Sequence, residues 1–150
     1  MLVFGKQVKA APAEGVRGAD PAPLKVAPPA ARLDGKRILA ALVVENPTEQ
    51  ALTVVANPYG GAFPYGGDHP FTLSFTQPSP ATYSGRLYPP DPPLPVALTF
   101  PARSRVEFTA QIDLKDWTWQ GEPEVELTWG FHFVDGPSRG GKVKLRLPKR

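Results

Sequence analysis

Residues 103–114 read Arg-Ser-Arg-Val-Glu-Phe-Thr-Ala-Gln-Ile-Asp-Leu, and they decide the fold class. Val106, Phe108, Ala110, Ile112 and Leu114 share one parity, while Arg105, Glu107, Thr109, Gln111 and Asp113 share the other. Successive side chains of a strand point to opposite faces, so this alternation predicts a β-strand with one buried and one wet side. Residues 124–134, EVELTWGFHFV, repeat the pattern, with Val125, Leu127, Trp129, Phe131 and Phe133 turned inward.

Further strand segments lie on either side. They are 36–45 (KRILAALVVE), 50–56 (QALTVVA), 71–77 (FTLSFTQ), 95–101 (PVALTFP) and 141–148 (GKVKLRLP), with a weaker candidate at 83–88. The run at 36–45 carries apolar residues at both parities, which predicts a strand buried on both sides or lying under the N-terminal segment 1–33. Asn46-Pro47 and Asp135-Gly136 supply turns. About eight strands and no convincing helix point to an all-β, two-sheet sandwich over residues 34–150. A jelly roll is favoured over an Ig-like arrangement because eight strands suit two Greek keys.

The composition agrees. Twenty of 150 residues are Pro and 14 are Gly, which excludes long helices and coiled coils. Cys is absent, so no disulfide framework, thiolate metal site or cysteine nucleophile is available. Asn occurs only at Asn46 and Asn57, and Met only at Met1. Scarce labile residues beside abundant Pro fit a thermostable protein, and GC-rich codon usage gives the same bias. The first residues are too short an apolar run for a signal peptide or a membrane span, so the expected origin is cytoplasmic.

Residues 1–33 differ from the rest. Pro12, Pro21, Pro23, Pro28 and Pro29 interrupt every period, which predicts an extended, polyproline-like arm. Apolar anchors Leu2, Val3, Phe4, Leu24 and Val26 and the cations Lys6, Lys9 and Arg17 make it a candidate partner-binding arm. The arm has either a neighbouring subunit or its own sheet to wrap. Formal charge is +3 over residues 1–33, −6 over 34–138 and +6 over 139–150. A basic arm therefore meets an acidic body. The alternating Lys142, Lys144 and Arg146 predict a solvated strand face, and no nucleic-acid motif accompanies them.

Few residues suggest chemistry. The repeat Pro58-Tyr59-Gly60-Gly61 and Pro64-Tyr65-Gly66-Gly67 offers Tyr59 and Tyr65 as contact anchors on loops. Trp117 and Trp119, two apart, share a side and could form a contact surface, a sugar platform or a core plug. His69 and His132 lack a metal-ligand spacing, and Glu122, Glu124 and Glu126 form an acidic row with no reason for a raised pKa. No catalytic or metal residue is assigned and no cofactor is expected; the chain does not read as an enzyme.

The arm at 1–33, followed by the alternating strands 103–114 and 124–134 in a thermostable-looking all-β body, resembles the decoration (cement) proteins on the heads of tailed phages, especially thermophilic ones. The resemblance implies a virion-surface structural protein. It would be a trimer seated on a capsid protein, its arms clasping neighbouring subunits against internal pressure, without contact to membrane or nucleic acid. The alternative is an intracellular Ig-like binding module, proteinase-inhibitor-like or carbohydrate-binding, that uses loops 57–70 and 116–123.

Overall fold

The computed structural model describes residues 3–4, 8–58, 62–63, 69–85 and 94–150. Fourteen strands appear among them: β1 (Val3–Phe4), β2 (Lys9–Pro12), β3 (Lys25–Val26), β4 (Ala30–Asp34), β5 (Arg37–Asn46), β6 (Leu52–Ala56), β7 (Ala62–Phe63), β8 (Phe71–Phe75), β9 (Thr82–Tyr83), β10 (Val96–Phe100), β11 (Ser104–Asp113), β12 (Trp117–Thr118), β13 (Glu124–Phe131) and β14 (Arg139–Arg146). No described residue is helical. The chain is all-β, and its mainly antiparallel sheets pack together as a β-sandwich.

The longest pairing joins β5 to β11, from Arg37 opposite Asp113 to Asn46 opposite Ser104. On the far side of β5 sit β3 and β4, at opposite ends of the strand. On the far side of β11, β1 and β7 pair in parallel, also at opposite ends. A second sheet runs β2-β10-β6 and a third β14-β13-β8, and the short pair β9-β12 lies apart. An isolated bridge from Ala56 to Phe133 links the second and third sheets.

Alternation builds the core as the sequence predicts. Ile38, Ala40, Leu42 and Val44 of β5 and Val106, Phe108, Ala110 and Ile112 of β11 are buried, together with Val125, Leu127, Trp129, Phe131 and Phe133 from the β13 region. Phe108 meets Phe131 edge-on at 5.1 Å between ring centroids, a favoured aromatic geometry.

Asn46 is, with Ser104, one of two buried polar residues among those described. Its amide nitrogen donates to the carbonyls of Gln50, Phe100 and Pro101 at 2.9, 3.1 and 3.1 Å. Its oxygen accepts from the backbone N–H of Thr48 at 3.1 Å and the Thr48 hydroxyl at 2.7 Å. One side chain thereby ties the 46–50 turn to the end of β10, and its burial costs little because every polar atom is satisfied.

Two details differ from the sequence reading. β5 is not enclosed on both sides: Leu39, Ala41 and Val43 are only half-buried. The leading segment, expected over it, adds to its edge instead as β3 and β4, because backbone pairing satisfies their donors as well as those of β5. The last strand begins at Arg139, two residues before the expected start, because Arg139 and Gly140 continue the pairing with Phe131 and Gly130.

Candidate interaction surface

In the single chain, residues 8–34 lie along their own body. β2 takes the edge of β10, with Lys9 opposite Thr99 and Pro12 opposite Val96. The chain then turns, Ala13 N–H donating to Pro95 at 3.3 Å and Val16 N–H to Ala13 at 2.9 Å, with Gly15 at φ 74°. That positive φ is one that glycine adopts without the Cβ clash. Ala19 N–H next donates to Thr53 of β6 at 2.8 Å. The segment therefore passes from one edge of the β10-β6 pair to the other before joining β5 through β3 and β4.

A turn at 20–24 holds the middle of this strap. The Asp20 carboxylate accepts from Ala22 N–H at 2.9 Å, and Leu24 N–H donates to Pro21 at 2.9 Å. From the start of β14, the Arg139 guanidinium donates to the carbonyls of Leu24 at 3.1 Å and of Pro21 and Ala22 at 3.4 Å each. Five rigidly forked N–H groups suit Arg to bridging several carbonyls at once. Below the turn, Leu24 sits in the core at 1% exposure.

The expected arm contacts thus divide. Leu24 is buried within its own chain and Val26 is half-buried against the same core. Lys9 and Arg17 are exposed. Val3 and Phe4 pair through their backbone with Ser104 and Arg105. Leu2 and Lys6 lie outside the described residues. Proline weakens local periodicity in this segment, but it does not prevent edge pairing with strands distant in sequence, and that pairing fixes 8–34 here.

Among the loop candidates, Tyr59 and Tyr65 lie outside the described residues. Trp117 and Trp119 do share a side, and it is the inner one: both rings are buried. Trp117 packs on Phe75 at 4.3 Å and Tyr83 at 5.1 Å between centroids. Trp119 donates its indole N–H to the Pro148 carbonyl at 2.8 Å and carries the Arg150 guanidinium 3.7 Å over its ring. Both rings are occupied in holding the body and its C-terminal residues, which leaves no open face for a sugar to stack on.

The acidic row is a surface ladder. Glu126 pairs with Lys142 at 3.3 Å and Glu124 with Lys144 at 3.9 Å, while Arg146 donates to the Glu122 carbonyl at 3.1 Å. Exposed pairs of this kind contribute little individually and keep a strand face wet.

The two histidines are separately engaged. His69 receives Phe71 N–H on Nδ1 at 3.1 Å, so Nε2 carries the proton donated to the Thr109 carbonyl at 2.6 Å. His132 hydrogen-bonds the Thr72 hydroxyl at 2.8 Å, and burial holds its pKa below the ordinary value. Among the described residues no three His, Asp or Glu side chains gather to hold a metal, and no helix is long and apolar enough to cross a membrane.

Sequence reading missed Arg139, which it counted only as one charge of the basic tail. No local signal marks it, because its partners lie more than a hundred residues away. It also missed Leu94, an apolar residue set among Pro92, Pro93 and Pro95. Leu94 borders a groove with Val16 and Val134. No family model, curated protein or solved structure matches the chain.

Proposed function

We propose that this chain is a structural interaction protein that assembles with copies of itself, its N-terminal arm exchanging from its own body to a neighbour's, as a decoration protein clasping a shell would. The observation that carries this reading is the way residues 8–34 attach. They bind mostly through backbone pairing at the sheet edges offered by β10 and β5. An identical neighbour presents identical edges, so exchange replaces every bond with its equivalent, which is the low-cost route of domain swapping. A +3 arm crossing a −6 body helps steer that encounter. The decoration of a capsid, on a virion surface, is the setting in which such clasping has an evident use.

The absence of native cysteine makes the test clean. Ala11 lies directly opposite Ala97 in the β2-β10 pairing, so Ala11→Cys with Ala97→Cys, oxidised at a dilution where the chain is a monomer, locks the arm to its own body; oxidised within an exchanged assembly, the same pair would bond the arm to the neighbour. Returned to the concentration at which the reduced full chain assembles, the chain oxidised as a monomer should by light scattering stay unassembled or stop at a pair. Equal mass in both states overturns arm exchange.

A further inference from the structure

Among the described residues, three large apolar side chains remain exposed: Val16 at 40%, Leu94 at 85% and Val134 at 45%. All three border one groove of about 490 Å³, which Pro12, Val55 and Pro95 also line. Single exposed apolar residues need no explanation, but their convergence on one recess does. They arrive from three separate parts of the chain: the turn of the strap, the entry to β10 and the segment after β13. Backbone bonds fix each wall, Ala13 to Pro95 at 3.3 Å and Val134 to Val55 at 2.9 Å. The recess is therefore preformed.

Its rim carries two carboxylates, with a cation next to it in the chain. Glu14 and Asp135 line it, and the exposed Arg17 follows Val16 directly. Among the described residues none of these three forms an ion pair. The patch thus holds a projecting knob, Leu94, beside a hole, and two carboxylates with an exposed cation one residue along the chain from Val16. A surface carrying both halves of each complement is what a two-fold contact requires, since there each residue of one copy meets its complement on the other. A foreign ligand would need only the hole and one sign of charge.

We infer that this groove is a two-fold contact between copies of the chain. Leu94 of each copy seats among Val16, Val55 and Val134 of the other, and Arg17 faces the other copy's Glu14 and Asp135. This rests on the self-association proposed above and adds a surface independent of arm exchange.

The test uses the double-cysteine variant oxidised as a dilute monomer, in which the arm is locked to its own body and exchange is blocked. Sedimentation over a concentration series should show a monomer–dimer equilibrium. Adding Leu94→Asp should weaken that equilibrium roughly tenfold or more, as loss of a central apolar anchor does. It should leave the thermal midpoint of the dilute monomer unchanged, because the side chain is 85% exposed. Arg17→Glu and Glu14→Arg should each weaken pairing alone, and an equal mixture of the two should restore it, because the mixed pair regains opposite charges on both sides of the axis.

A locked protein that stays monomeric overturns the groove contact while leaving arm exchange standing. A dimer insensitive to Leu94→Asp also overturns it. If the locked monomer instead takes up an added Leu- and Lys-containing peptide at the groove, the site belongs to a foreign segment and the two-fold contact is wrong.

Discussion

Leu24→Ala separates a residue that belongs to the core from one that waits for a partner. Leu24 is 1% exposed, packs in the same core cluster as β5, β11 and β13, and lies under the turn clamped by Arg139. Removing three buried carbon atoms costs their transfer free energy plus that of the cavity left behind, about 3 kcal/mol within a usual range of about 2–5. For a domain of this size that is a fall in thermal midpoint of roughly 6–12 °C. The measurement is thermal and urea unfolding of the full chain, diluted until its mass is that of a monomer, so that assembly does not contribute. Val16→Ala is the control. It lies in the same proline-rich arm but is 40% exposed, and its effect should stay within about 0.5 kcal/mol. Equal, small losses for both would show that the arm is detached in the isolated chain and that Leu24 is not a core residue of its own body.

Asn46→Ala should destabilise by about 2–4 kcal/mol in urea unfolding, because it strands the Phe100 carbonyl and the Thr48 donors while gaining nothing in packing. Arg139→Ala should cost about 1–3 kcal/mol, and hydrogen exchange should speed up first at the Leu24 and Val26 amides, which the clamped turn orders. His132 contributes a pH dependence. Its folded pKa is lowered by burial, so the unfolded chain binds the proton more readily; stability should fall as pH drops below about 6.5 and level off once the folded-state pKa is passed. His132→Asn should flatten that slope, and a slope that survives the substitution belongs to other groups.

How much of this was legible differs from element to element. β11 and β13 could be read because a half-buried strand writes its burial into every second residue: Val106 to Ile112 and Val125 to Phe131 needed no knowledge of what they pack on. The pair Trp117 and Trp119 was legible as sharing a side. Which side it was depended on Phe75, Tyr83 and Arg150, none of them a neighbour in sequence. Burial of an aromatic ring is a property of what surrounds it, so core plug and exposed platform look alike in the chain.

The arm shows the limit most plainly. Its five prolines correctly signal that no local period holds it, and the sequence by itself determines that residues 1–33 have no core of their own. Where the segment goes is a non-local matter. Thr99 and Val96 receive β2, Val44 and Glu45 receive β3, and Arg139 receives the turn between them. Edge pairing uses backbone groups that every residue except proline carries, so the choice of edge leaves almost no trace in side-chain pattern. The same holds for the groove. Val16, Leu94 and Val134 are unremarkable singly and more than a hundred residues apart at the extremes, and only the tertiary structure brings them to one recess. Composition and alternation determined an all-β sandwich with a basic, proline-broken leading segment. Tertiary structure decided that residues 8–34 strap their own body and that the exposed large apolar side chains among the described residues meet at one place, because both depend on contacts between parts of the chain that carry no information about one another in sequence.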